Sequence, residues 1–189
     1  MAFLTRDFFA RDTVIVAQDL IGTTLVAGKC TGRIIETEAY TTDAASHAAK
    51  RTNRSALMYE TYGHIYVYIT YGMYYCLNFT CERDGIGAVL IRAIEPLSGI
   101  GEMQQRRGTD EFKKLASGPG RLSQAFAIDL SLNGKLIGRE LKLCERQTIP
   151  QISASPRIGI SKATELEWRF FEKDNPFISP SKFNQSTQL

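Results

Sequence analysis

The chain of 189 residues is expected to fold as one α+β domain, a curved antiparallel sheet with helices packed around it. Three observations predict this. Short runs rich in Val, Ile and Tyr recur through the first hundred residues, and glycine-bearing turns rather than long helices separate most of them. Helical patterning is brief, near the N-terminus and after Gly99. The length suits a single domain of roughly 100–200 residues, and no repeat or long linker divides it.

Taken in order, Asp12 or Thr13 caps a short helix through VIVAQDL, closed by Gly22. TTLVAG and GRIIETEAY read as two strands joined by a tight turn between Gly28 and Gly32. A polar segment from Thr41 to about Gly63 holds short helical patches and a basic run at Lys50, Arg51 and Arg54. Three strands follow, IYVYIT, MYYCLNFT and AVLIRAIEPL, divided by Tyr71-Gly72 and by RDGIG. GIGEMQQRR and EFKKLAS read as helices, and SGPGRLSQAFAI as a glycine-rich loop feeding another. KLIGRELKLCER reads as a strand pair or hairpin, and SPRIGIS as a short strand after a proline. The aromatic stretch EWRFFEKDNPFIS should pack back on the core, and the last ten residues are expected to be disordered.

The bulk properties exclude more than they assign. A net charge of +3 permits a polyanionic partner without requiring one. Four cysteines without a C-x-x-C pair and two distant histidines give no zinc pattern, and no metal or organic cofactor is expected. The first twenty residues carry early charges and no long apolar run, so neither a signal peptide nor a membrane span is expected. A reduced cytoplasmic protein with free thiols, nucleoid-associated if bacterial, is the default.

The most unusual stretch is YVYITYGMYYCLN, which holds five of the eight tyrosines. Strand alternation puts Tyr66 and Tyr68 on one face and Val67 and Ile69 on the other. Beyond the turn, Met73, Tyr75, Leu77 and Phe79 form an apolar face, and Tyr74, Cys76, Asn78 and Thr80 a more polar one. Most of these rings suit a strand by propensity alone. Tyr71, at a hairpin tip near a basic run, suits insertion into a base stack. Upstream, IIETEAY sets Glu36, Glu38 and Tyr40 on one strand face, the carboxylates roughly 7 Å apart. Solvated surface glutamates are the plain reading; acid–base work at a glycosidic bond is the chemical one. An N-alkylated purine is already cationic, so one glutamate activating water would suffice, within an aromatic pocket of Tyr40, His47 and Tyr68.

The ordered series ETEAY, ASH, GHIYVYITYGMYYCLN, IRAIEPL, SGPGRLSQA, SPRIGIS and WRFF resembles the alkyladenine (3-methyladenine) DNA glycosylases, from about Phe8 to Ser179. Each motif alone is weak; seven in order are specific. The resemblance implies a formyltransferase C-terminal domain-like fold, no cofactor, and flipping of alkylated purines out of duplex DNA for hydrolysis. It implies Glu38 as general base, with Arg92 and the backbone carbonyl of Ile158 holding the attacking water. Tyr40 and Tyr68 become the walls against the base, and His47 touches the flipped nucleotide. Asn78 excludes the 2-amino group of guanine, and Tyr71 fills the gap in the helix. Glu38 beside Arg92 should be ionised, as a base must be. Phosphate contacts are expected from Arg51, Arg54, Arg121 and the SGPG amides. No lysine stands as a nucleophile in these motifs, which implies a monofunctional enzyme and a monomer acting on duplex DNA. The easiest leaving groups are 3-methyladenine and 7-methylguanine; hypoxanthine and ethenoadenine need a proton donor besides. The alternatives are a catalytically silent module that binds damaged DNA, and a hydrolase of other N-glycosides; Glu38 with Arg92 argues against the first, Tyr71 against the second.

Overall fold

In the computed structural model, which describes residues 2–184, an antiparallel sheet organises the chain. Asp12 caps the first helix, α1 (Thr13–Leu20), by accepting hydrogen bonds from the amides of Val14 and Ile15. Strands β1 (Thr24–Ala27) and β2 (Cys30–Tyr40) form a hairpin through Gly28 and Lys29. After the polar segment comes α2 (Ala56–Glu60), then β3 (Ile65–Thr70), β4 (Tyr74–Cys81) and β5 (Gly87–Ser98). Two helices follow, α3 (Ile100–Arg107) and α4 (Pro119–Ala125), and then β6 (Leu141–Cys144), β7 (Ile152–Ser155) and β8 (Arg169–Glu172).

The strand order is β3-β4-β5-β2-β1-β6, with β8 pairing both β2 and β7. The long β2 therefore splits its free side: its first half takes β1, and Glu36 to Glu38 take β8. α1 lays Val16, Ala17 and Leu20 on the sheet, and α4 adds Leu122 and Ala125 to the same core. Val67, Leu77, Phe79, Val89 and Ile91 meet them from the strands, the first three from the faces that alternation had marked as apolar.

Several expected elements differ. KLIGRELKLCER is not a hairpin: Lys135–Ile137 lie along the free edge of β3, where Ile65 N–H donates to Lys135 O and Ile137 N–H to Gly63 O, while Leu141–Cys144 pair with β1. Those two edges belong to opposite ends of the sheet. A link of three residues between them spans at most about 14 Å, so the sheet is curled far round on itself. The strand expected in SPRIGIS lies one step earlier, as β7. Pro156 has no N–H to extend the ladder, and the residues after it turn their polar groups toward β2 and its following loop. EFKKLAS makes only a single helical turn at Phe112–Lys114, because Ala116 O accepts from Ile94 N–H and draws the chain along β5. Of the tail expected to be disordered, residues 181–184 form a turn in which Asn184 bonds Arg169 and Ser179; residues 185–189 lie outside the described residues.

All four cysteines are free and buried. No described helix is long and apolar enough to cross a membrane.

Two compensating irregularities shape the middle of the sheet. Ile34 pairs with Ile94 and Glu36 with Ala93, so Ile35 is extra in β2; Thr37 then pairs with Ile91, so Arg92 is extra in β5. Near the start of β2, Gly32 lets β5 approach. A Cβ there would stand 2.3 Å from Ile94 Cγ2 and 2.8 Å from the carbonyl oxygen of Glu95. Gly32→Ala is expected to cost about 1–3 kcal/mol, read as a lower urea midpoint at an unchanged m-value.

Candidate active site

A cavity of about 320 Å³ opens between the β3–β4 hairpin, the end of β2 and the loop after β7. Tyr40, His47, Tyr68, Asn78, Arg92 and Ile158 all line it, and Tyr71 and Pro119 reach its rim. Sequence positions spread over more than a hundred residues thus meet in one place.

Beneath this lining lies Glu38, with no exposed surface. A buried carboxylate needs donors, and three separate elements supply them. Tyr40 O–H donates to Oε2 at 2.7 Å, the backbone N–H of Ile158 to Oε1 at 2.7 Å, and Arg92 Nη1 to Oε2 at 3.3 Å. Ile158 was expected to act through its carbonyl; its amide holds Glu38. Burial and then Glu38 push the Tyr40 phenol well above its ordinary range, so it keeps the hydrogen it donates. Burial opposes the charge of Arg92, but Glu38 and Glu36 outweigh that and hold its pKa above the usual arginine value.

The surface reading of the paired glutamates fails, since both are fully buried. Their roles in the packing differ. Glu36 accepts from Arg169 Nε at 2.6 Å and from Ser179 N–H at 2.7 Å, with Arg92 Nε 3.4 Å away. It belongs to the framework, and Glu38 alone backs the cavity.

The walls are aromatic. The His47 ring meets Tyr68 edge-on at 4.5 Å between centroids, and its Nδ1 lies 2.8 Å from Tyr66 Oη. Burial raises the phenols of Tyr66, to about 12, and of Tyr68, and also raises the Cys76 thiol, so all three stay protonated at neutral pH. Asn78 gives both amide hydrogens to carbonyls, of Tyr66 at 3.0 Å and Cys76 at 3.2 Å, which fixes the orientation of its side chain.

Tyr71 is 85% exposed and has φ +51°, in the left-handed region, beside Gly72 at +70°. A non-glycine residue there carries strain of order 1 kcal/mol, and the result is a ring held out from the tip. Of the three expected phosphate ligands, all are exposed. Arg54 lies 5.1 Å over the Tyr68 ring and donates to Ile69 O, Arg51 pairs with Glu60, and Arg121 donates to Ser117.

Arg157 was missed by sequence reasoning. It is buried, pairs with Asp43 at 2.6 Å, donates to Ala39 O, and stacks 4.5 Å from the Tyr40 ring. It backs the Tyr40 wall and fixes the loop that carries Ile158. The only signal was an arginine inside SPRIGIS, and its acid partner stands far away in sequence.

The model of one family, methylpurine-DNA glycosylase, matches residues 7–176. The chain belongs to this family. It is therefore a DNA glycosylase, a hydrolase of DNA repair. Proteins named "Putative 3-methyladenine DNA glycosylase" resemble it along nearly their whole length. One from Rhodopseudomonas palustris (strain ATCC BAA-98 / CGA009) is 47% identical over 180 residues, covering 93% of this chain and 87% of its own. One from Rhizobium meliloti (strain 1021) is 47% identical over 176 residues, covering 92% and 94%. A third, from Chlorobaculum parvum, is 43% identical over 194 residues, covering 96% and 93%.

Burial, and then the charge of Arg54, lower the pKa of His47 in this glycosylase. The unfolded imidazole takes up its proton near pH 6.5, while the folded one resists. The unfolded state therefore binds more protons as pH falls below about 6.5, and folding stability falls with it. An NMR titration of the His47 ring is expected to give a midpoint below 6.5, and His47→Gln should flatten this limb of the stability profile.

Proposed function

We propose that the protein removes alkylated purines, 3-methyladenine and 7-methylguanine first, from duplex DNA by hydrolysing the N-glycosidic bond. The observation that carries this reading is a buried glutamate with three donors directly behind an aromatic cavity, beside an exposed tyrosine tip. The damaged nucleotide leaves the stack and its base enters between Tyr40 and Tyr68, with His47 at the side. Electron-rich rings favour a cationic base over a neutral one. Asn78 limits the room for a 2-amino group, which ranks 7-methylguanine below 3-methyladenine. Tyr71 occupies the vacated space in the helix and offsets part of the stacking lost.

Glu38 takes a proton from water as the oxygen attacks C1′, while the C1′–N bond breaks toward the base. A cationic purine leaves with that electron pair as a neutral molecule, so no acid is needed. Arg92 and Ile158 fix the carboxylate from two sides, and the Ile158 carbonyl helps hold the water. Among the described residues no lysine lines the cavity. Water is then the nucleophile, and an abasic site with an intact backbone is the product. Arg51, Arg54 and Arg121 hold phosphates around the opening.

Glu38→Gln is expected to bind lesion duplex but release base at least about a hundredfold more slowly. Chromatography of bases freed from methylated DNA reads this directly. Release by neither protein, with lesion binding intact, would identify a silent damage-binding module instead. Tyr71→Ala should weaken lesion binding roughly tenfold through lost stacking and leave stability within about 0.5 kcal/mol, as exposed positions do. A loss of stability without a loss of affinity would make Tyr71 a packing residue. Affinity should fall as salt rises, through counterion release; a flat response would argue against a duplex partner.

A further inference from the structure

Tyr66 has no part in the chemistry above, yet its hydroxyl is placed on the one side chain of the cavity with two tautomers. Tyr66 is only 3% exposed, and its Oη lies 2.8 Å from His47 Nδ1. No other side-chain hydrogen bond of Tyr66 exists among the described residues, and Nε2 of His47 meets no protein partner. Two arrangements are open. If Nδ1 carries the hydrogen and donates, the buried phenolic hydrogen of Tyr66 is left without an acceptor, which is the costly case for a buried donor. If Tyr66 donates, Nδ1 is the acceptor, the ring hydrogen sits on Nε2, and every buried hydrogen is satisfied.

We propose that Tyr66 is a positioning residue that fixes His47 as the Nε2–H tautomer, so that the cavity presents a hydrogen-bond donor to an acceptor nitrogen or oxygen of its occupant. The lowered pKa of His47 and the raised pKa of Tyr66 agree with a phenol that donates and an imidazole that is neutral. Arg54 is the cation that bears on His47, and it works against a second ring proton. The direction matters for recognition. Asn78 has committed both of its hydrogens to carbonyls, so its amide contributes acceptor character only. His47 then supplies the side-chain N–H among these wall residues, and a nucleotide is read by one donor and one acceptor on separate strands and loops. The inference rests on the reading of this cavity as the seat of a flipped nucleotide only for the identity of the occupant; the tautomer is a property of the protein alone.

The test has a DNA-free and a DNA-bound arm. Long-range proton–nitrogen correlation spectra of the imidazole distinguish the two tautomers and the cation. The wild-type protein at neutral pH should show His47 with an unprotonated Nδ1, and Tyr66→Phe should show a mixture with a measurable Nδ1–H fraction. An Nδ1–H tautomer or an imidazolium in the wild type overturns the proposal, as does an unchanged spectrum in Tyr66→Phe. In the non-hydrolysing Glu38→Gln background, Tyr66→Phe should weaken lesion-duplex affinity about three- to tenfold, the effect of one hydrogen bond. An Nε2–H wild type whose affinity for lesion DNA is indifferent to Tyr66→Phe overturns the donor role. A protein with the expected tautomers and no lesion affinity at all would instead remove the nucleotide reading. Base release by a wild type with the wrong tautomer would leave that reading standing and remove this one.

Discussion

A fully buried carboxylate is the constraint around which the structure is arranged. Glu38 would be costly to bury without donors, and its three come from β2, β5 and the loop after β7. Those elements must therefore be fixed relative to one another before the site exists. The means are themselves buried polar pairs. Arg169 and Ser179 hold Glu36, Arg157 and Asp43 hold the loop, and Arg92 touches both glutamates. Breaking one member of such a network leaves the rest uncompensated, a larger penalty than the net value of the pair. Framework and candidate site are joined through Arg92.

The β3–β4 hairpin carries two different surfaces at once. Its inner residues, Val67, Leu77 and Phe79, complete the core, and its other face gives Tyr66, Tyr68, Cys76 and Asn78 to the cavity. A strand exposed at a sheet edge is a liability, and here Asn133 Oδ1 accepts from Val67 N–H while Lys135 covers Ile65. The edge is thus covered near its base and open toward Tyr71, where the proposed function needs the hairpin to meet a partner.

Much of this was legible in the sequence. The alternation of YVYITYGMYYCLN separated Val67, Leu77 and Phe79 in the core from Tyr66, Tyr68, Cys76 and Asn78 on the cavity, because a strand with one buried face leaves little freedom in its register; beside the turn it failed, and Met73, placed on the apolar face, is exposed. The resemblance named Glu38, Arg92, His47 and Asn78 as one group; the last three line one cavity and Glu38 lies behind it, although nothing in composition places them there. The failures share a cause. Arg157, the covering of the β3 edge by Lys135–Ile137, and the shift of a strand from SPRIGIS to Ile152–Ser155 all depend on partners far away in sequence. Local propensity carries no record of such partners. The burial of both glutamates was hidden in the same way, since their cations stand at positions 92 and 169.

The paired irregularities in β2 and β5 have an engineering consequence. Ile35 adds a residue to one strand and Arg92 adds one to its neighbour, so the count is restored by Thr37 and Ile91. A frame error on one side is cancelled by a frame error on the other. Ile35 shares a face with Glu36, and Arg92 with Ala93, so each extra residue bends its strand while the residues beyond it keep their pairs and their faces. The second bulge also has a chemical use, because Arg92, the extra residue of β5, is the side chain that reaches both Glu36 and Glu38, so a graft of this sheet that straightens β5 would lose the cation between them.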